Sequence, residues 1–484
     1  MLDGTGGLTP PRSPGRCETD DGLEGSNVME QIRIGNGCGF WGDNLDAPVQ
    51  LAKDGCLDYL TLEYLAELTM SILALQEQRD PEHGYATDFL DVLDRLCPIL
   101  RAQPKLKIIT NAGGMNPVAC AAKVRGILER AGLADRTIAT VAGDDLFPAL
   151  DQLLAAGHPL ANLDTGEPLA SVHDRVVSAN AYLGARPIVA ALQAGASIVI
   201  TGRVADASLT VAPAVHEFGW DWEDWNRLSA ATVAGHLIEC GAQATGGLWC
   251  DWQDAPNLAN AGYPIAELDL SGNLWITKPP DTGGAVNCET ISEQLLYEVG
   301  DPAAYLTPDV VADFTSVTLK QADPDSVLLQ GARGQPATDT YKVSIAYRDG
   351  FASSGTLMIF GPHAAAKARF CGEMILQRLR RAGIELAHSN IECLGTGACV
   401  PGVVSPPAEP PEVVLRVSAR DPRRSAIERF TKEFAPLVTS GPPGVTGYTT
   451  GRPPVREVFA YWPALVAKYL VRPEVRMVGH QSPT

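Results

Sequence analysis

The sequence predicts an α/β fold, a mostly parallel sheet with flanking helices in a Rossmann-like arrangement, followed by a smaller C-terminal α+β domain. Three observations predict it. From about residue 31 to 220, strand-sized apolar runs alternate with helix-length amphipathic stretches, the rhythm of βαβ units. Loops rich in Gly, Asn and Asp follow those runs directly, as at the carboxyl ends of strands in open α/β sheets, where ligands bind. At 484 residues the chain exceeds what one hydrophobic core usually serves. A closed (β/α) barrel shares the local pattern. The expected organisation is a disordered extension over residues 1–29, a ligand-crevice domain over 30–325 and an α+β domain over 335–475.

Taken in order, Gln31 to Ile34 reads as the first strand and leads into a loop running to Asn44. Asp58 to Leu62 reads as a strand. Glu63 to Gln76 reads as a helix, with Leu65, Leu68, Ile72 and Leu75 on one face. Phe89, Val92, Leu93 and Leu96 repeat at helical spacing before Pro98. Lys107 to Thr110 precedes Asn111-Ala112-Gly113-Gly114-Met115-Asn116-Pro117. Pro117 sits near a helix start, where a missing amide hydrogen costs least. Ile138 to Ala142 precedes Gly143-Asp144-Asp145, Pro187 opens a further helix, and Ser197 to Thr201 precedes Gly202-Arg203-Val204-Ala205-Asp206. From about 220 to 330 the pattern loosens into loops that hold six of the 8 tryptophans, which fits either a pocket wall or packed irregular structure. Ala322 to Thr338 reads as a surface connection and Pro406 to Pro411 as a short stiff linker. Tyr341 to Tyr347 and Ser354 to Phe360 read as two partnered strands, Ala364 to Ala382 as an amphipathic helix and Val413 to Ser418 as another strand.

A net charge of -19 argues against nucleic acid, which needs a basic face, and against an anionic membrane surface. No apolar stretch reaches the roughly 18 residues of a spanning helix. The first 29 residues lack the apolar region of a secretory signal, and Met29 stands directly before the first strand. The 11 cysteines are odd in number and form no CxxC pair, so reduced thiols and a cytoplasmic location are expected. His236 and Cys240 alone have ligand-like spacing, and no metal site is expected from them. A carboxylate site for magnesium or calcium leaves no spacing mark. The expected partner is a small molecule, with no nucleic acid and no membrane. A homo-oligomer is compatible with the composition, and the sequence assigns no cofactor.

Several loops carry candidate chemistry. Gly37-Cys38-Gly39-Phe40-Trp41-Gly42 satisfies GxGxxG after a strand, and Glu63 lies where a ribose-binding acid sits in dinucleotide sites. Asp43, Asn44 and Asp46 intervene before any helix, and the charges of Asp43 and Asp46 repel a pyrophosphate. A dinucleotide, another phosphate-bearing ligand and a structural turn therefore all stay open. Nearby amide hydrogens at Cys38 would favour a thiolate, against the commoner packed cysteine. Asn111, Asn116, Gly113 and Gly114 offer donors to an anion or carbonyl, or form a turn and helix cap. Arg203 offers a planar fork for a carboxylate or phosphate, with Asp206 one turn on to orient it or move a proton; alternatively the two only tie the loop. Asp144 and Asp145 point differently, one toward the crevice and one capping. His236 and Glu239, three apart on a helix, are a core histidine pair or an acid/base pair. Lys278 meets a ligand phosphate or stays a loop lysine.

The motifs Ile34-Gly35-Asn36-Gly37, Gly39-Phe40-Trp41-Gly42-Asp43, Thr110 to Pro117, Ile200 to Asp206, Gly241 to Gly247, Lys278 to Gly284, Gly444 to Tyr448 and Gly451-Arg452-Pro453 occur in this order over roughly residues 31 to 465. In them the chain resembles the acyclic terpene utilisation proteins of the AtuA type. The resemblance implies a role in the breakdown of acyclic terpenes such as citronellol and geraniol, which proceeds through branched acyl-CoA esters. It carries over no catalytic residue by role. Some members have a further ferredoxin-like C-terminal domain, which this chain, ending at Thr484, is expected to lack. The leading expectation is an enzyme of hydration, dehydration or carbon–carbon cleavage in which Arg203 binds an acid group, Asp206 or Asp144 moves a proton, and Asn111 with the Gly113-Gly114 amides steadies an enolate oxygen. A non-catalytic assembly subunit and a nicotinamide-dependent oxidoreductase are the alternatives.

Overall fold

The computed structural model describes residues 30–403, 409–447 and 451–479. The extension expected over 1–29, part of the expected linker at Pro406–Pro411, and Tyr448 of the last glycine motif lie outside them. Contacts divide the chain into two compact units. The first takes the described residues up to Ser171, then Val177–Ala346 and those from Tyr461; the second takes Val172–Val176 and Tyr347–Ala460.

The first unit is built on a ten-stranded sheet. Its centre is five parallel strands: β1 (Gln31–Asn36), β2 (Tyr59–Leu62), β3 (Lys107–Thr110), β4 (Ile138–Ala142) and β5 (Ile198–Thr201), in the order β1-β2-β3-β5-β4. These strands are buried on both faces, which is why they read as continuous apolar runs. The flanks are antiparallel. Beside β1 lie β6 (Ile265–Asp269), β7 (Leu274–Thr277), then β8 (Thr318–Asp323) at the edge beyond β9 (Ser326–Gln330), while β10 (Glu474–Val478) pairs with β4. The sheet is thus mixed and open. This corrects the mostly parallel expectation and removes the barrel. The flank was hidden because β6 carries Glu267 directly opposite Arg33 of β1, a buried ion pair whose charges imitate surface positions. Ala322–Thr338 is likewise no surface connection: it contains β9, with Val327, Leu328 and Leu329 buried.

Among its helices are α1 (Ala47–Asp54), α2 (Thr69–Arg79), α3 (Asp88–Ala102), α4 (Pro117–Arg130), α5 (Arg186–Gln193), α6 (Ser208–Phe218) and α7 (Trp225–Glu239). α4 starts where expected, and Asn116 caps it by accepting from the Ala119 amide at 3.0 Å. α2 does not start at Glu63 but at Thr69. Glu63 to Leu68 form an irregular loop, closed by Leu65 N donating to Glu63 Oε1 at 2.9 Å and Ala66 N donating to Thr69 Oγ1 at 3.0 Å. The buried face of α2 is Met70, Ser71, Leu73 and Ala74, and the expected contacts Leu68 and Ile72 are exposed. Among the described residues no helix is long and apolar enough to cross a membrane.

In the second unit, Glu412–Asp421 pairs antiparallel with His388–Leu394 on one side and with the far half of the strand Thr340–Phe360 on the other. The two strands expected between Tyr341 and Phe360 are therefore one continuous strand. Helices Ala364–Arg381 and Arg424–Thr431 pack on this sheet through Cys371, Ile375, Ile427 and Phe430, which meet Leu357, Leu415 and Val417.

Candidate active site

The carboxyl ends of β2, β3, β5 and β4 are neighbours in the sheet, so the loops after them converge. They bring together Glu63, Asn111, Arg203 with Asp206, and Asp144. Asp144 is buried and accepts from Asn180 Nδ2 and from the Arg203 amide, both at 2.9 Å. Residue 202 is glycine because a Cβ there would overlap Asp144 Oδ1. Asp145 turns away and accepts from the Phe147 amide at 2.9 Å, so the adjacent acids do point differently. Burial pushes the Asp144 carboxyl up to about 7, although both hydrogen bonds favour its charged form.

Arg203 is the hub. It is 2% exposed, stacks 4.1 Å over the Tyr182 ring and donates from Nη1 to the Leu65 carbonyl at 2.6 Å. Its Nη2 lies 3.1 Å from Asp206 Oδ1, and Nη1 lies 3.8 Å from Glu63 Oε1. The fork expected to receive a carboxylate or phosphate is therefore occupied by the protein itself. What Arg203 does is hold two acids. Glu63 is buried; its Oε1 accepts from Asn111 Nδ2 and Leu65 N, while Oε2 has no hydrogen-bond partner among the described residues. Burial, then the charge of Asp206, push the Glu63 carboxyl well above the usual range against the pull of Arg203. Asp206 keeps about a third of its side chain open (34%). Its carboxyl is pushed up to about 7 by burial, with Glu239 and Glu67 adding and Arg203 and Lys342 opposing. Asn111 is buried; it accepts from Tyr64 N at 2.8 Å and donates to Glu63. Its place is behind Glu63, not on a ligand oxygen.

The remaining candidates serve local structure. In the glycine loop, Gly37 N donates to the Thr61 carbonyl at 3.0 Å and Gly39 N to Asp43 Oδ2 at 2.8 Å. Asp43 also accepts from Asn44 N at 2.7 Å and the Tyr263 hydroxyl at 2.6 Å, and Asn44 accepts from Asp46 N at 2.9 Å. Those amides close the loop on itself, where a pyrophosphate site needs them free. Cys38 is a buried thiol donating to the Phe40 carbonyl at 3.2 Å, and burial and Asp43 push it further up, which fits the packed cysteine and not the thiolate alternative. Gly114, at φ +51°, donates to the Asn111 carbonyl at 3.1 Å, and Gly113 abuts the Thr201 carbonyl. Beyond its cap, Asn116 donates to the Pro81 and His83 carbonyls at 2.9 and 3.0 Å. Lys278 donates to the Thr282 carbonyl at 2.9 Å and pairs with Asp325 at 3.0 Å.

His236 and Glu239 do form a pair, Nδ1 to Oε1 at 3.1 Å. The end of α7 that carries it is fixed to β1 by Asn36, whose Nδ2 donates to the Glu239 and Ile238 carbonyls at 3.0 and 2.8 Å. Sequence reading weighed Glu63 only as a ribose-binding acid at the end of β2, and passed over Lys342. That exposed lysine lies 4.9 Å from the Tyr182 ring and 3.9 Å from Glu67. Among the described residues no group of three or more His, Cys, Asp or Glu side chains is placed to hold a metal ion.

One prediction follows from Asp144. Its folded value lies near 7 and its unfolded value near 4, so the folded chain binds more protons between them, and stability falls as pH rises through that window. Asp144→Asn keeps an acceptor for the Arg203 amide and removes the titration. Urea midpoints measured between about pH 4 and pH 7 should fall less steeply in the variant; parallel slopes would contradict the buried acid.

A family model described as acyclic terpene utilisation family protein AtuA matches residues 32–477. No curated protein and no solved structure matches the chain.

Proposed function

Since the chain belongs to the acyclic terpene utilisation family AtuA, we propose that it is a catabolic enzyme acting on a branched acyl-CoA ester or related acid, by hydration or dehydration or by carbon–carbon cleavage. One observation carries the reading: the buried Glu63–Arg203–Asp206 cluster, with Asp206 open to a ligand and Glu63 Oε2 unpaired beside it. A carboxyl group near 7 exists in both forms at neutral pH, so it takes a proton and returns it without a large mismatch in acidity. Both reaction types need that transfer. Dehydration removes a proton from the carbon beside the thioester as water leaves the next carbon. Cleavage removes the proton of a hydroxyl as the adjacent carbon–carbon bond breaks.

Arg203 keeps the two acids poised without touching the substrate. Carboxylates dominate around Asp206, with Glu63, Glu67 and Glu239 against Arg203 and Lys342. The substrate's reacting end is therefore uncharged, and its anionic portion lies toward exposed Lys342. The self-closed glycine loop gives no support to the nicotinamide alternative. The test is incubation of the purified protein with 3-hydroxy-3-methylbutanoyl-CoA in D2O. Deuterium entering beside the thioester, followed by mass spectrometry, supports the reading. No exchange and no turnover with this or longer branched homologues sinks it and favours the non-catalytic subunit.

A further inference from the structure

Both ring nitrogens of His236 face oxygen acceptors. Nε2 lies 3.0 Å from the backbone carbonyl of Gln294, and Nδ1 lies 3.1 Å from Glu239 Oε1. A carbonyl only accepts, so Nε2 carries a proton. A second proton must then lie between Nδ1 and Oε1, since a bare nitrogen facing a bare carboxylate is repulsive. The pair holds that proton in a buried place: His236 is 2% exposed and packs 5.4 and 5.2 Å from the rings of Tyr305 and Phe314. The other oxygen, Glu239 Oε2, is buried and unpaired.

His236 is thus a core histidine with both nitrogens partnered, and the pair's position ties it to the sheet edge. Asn36, the last residue of β1, donates to the Glu239 carbonyl at 3.0 Å, and its Oδ1 accepts from Thr61 of β2 at 3.1 Å, two residues before Glu63. The end of α7 is thereby pinned to the carboxyl edge of the sheet, on the side of the cluster away from Asp144. Glu239 is close enough to Asp206 for its charge to be felt there.

We propose that Glu239, loaded by His236, is a second proton-transfer group of the crevice and acts as the acid where Asp206 acts as the base. The inference rests on the proton-transfer reading above. In dehydration the steps balance as follows. Asp206 takes the proton beside the thioester, the electron pair of that C–H bond forms the double bond, the C–O bond breaks, and Glu239 gives its proton to the leaving hydroxyl, which departs as water. That proton is the one the pair shares: its loss leaves Glu239 a carboxylate and His236 protonated at Nε2 alone, Asp206 releases the proton it took, and the pair regains one from solvent. Glu239 is then the catalytic residue and His236 the positioning residue.

The test uses Glu239→Gln in the full chain, with 3-hydroxy-3-methylbutanoyl-CoA in D2O. The base half-reaction is deuterium exchange and the whole reaction is loss of water. Glu239→Gln should slow water loss at least ten times more than exchange, whereas Asp206→Asn slows both together. Equal loss of both in Glu239→Gln overturns this inference and leaves the base assignment standing. Undiminished exchange in Asp206→Asn overturns the base assignment instead. A readout without substrate separates the two: proton NMR of the wild type should show a strongly downfield ring N–H of His236 that vanishes in Glu239→Gln. Its absence from the wild type overturns the shared proton whatever the turnover assays give.

Discussion

Arg203→Met should destabilise the first unit by about 3–5 kcal/mol at neutral pH, the usual cost of leaving a buried charge without its partner. Methionine fills much of the volume and keeps contact with Tyr182, so the loss reports on charge and hydrogen bonds more than on a cavity. The hydrogen bond to the Leu65 carbonyl goes with it, while the bonds of the Tyr64, Leu65 and Ala66 amides in the same loop remain. The pH dependence gives the sharper check. Without the guanidinium, the carboxyl groups of Glu63 and Asp206 rise further above their unfolded values. Stability of the variant then falls more steeply than the wild type as pH increases, and the gap between the two narrows in acid, where both acids are protonated in either protein. All 8 tryptophans lie in the first unit, so their fluorescence during urea denaturation follows the unit that matters. A penalty independent of pH would mean that Arg203 packs but does not neutralise.

The parallel centre of the fold was legible because its strands are short, mostly apolar runs, four of the five leading into a glycine- or asparagine-rich loop. The same loops, after β3, β4 and β5, supplied Asn111, Asp144, Arg203 and Asp206 by inspection. The antiparallel flank was not legible, because a strand such as β6 reads Ile-Ala-Glu-Leu-Asp, and only its register against Arg33 makes Glu267 an inner residue. The long strand Thr340–Phe360 was read as two because Asp349-Gly350 is a hairpin dipeptide. Here Gly350 takes φ +86° without turning the chain, and Asp349 is held by Arg175 and Arg420 while pairing resumes at Phe351 opposite Asp421. The contacts within the site were not legible for a related reason. That the Arg203 fork is filled by a carbonyl 138 residues away is a tertiary fact with no local signal. Glu63 was placed at the end of β2, but the leucine-rich stretch after it scans as helix, so its pairing with Arg203 became visible only with the loop that Asn111 and Thr69 hold.

Asp206→Asn should lower turnover by about 100- to 10,000-fold, the range for removing a positioned acid or base. It should leave the urea midpoint near the wild-type value or raise it, since it removes an acid held above its ordinary range while keeping an oxygen toward Arg203. That contrast separates catalysis from architecture. If the Arg203–Asp206 contact merely tied the loop, stability and activity would fall together. The pH profile adds a second discriminator. In the wild type the limb reporting the base should lie near 7, because the unprotonated form of Asp206 is gained there. The variant's residual activity should lose that limb. Glu67 tests the same point from the other side. Its charge adds to what raises Asp206, so in Glu67→Gln the limb moves toward lower pH. A limb that stays in place in both variants would assign the titration to another group and take the proton transfer away from Asp206.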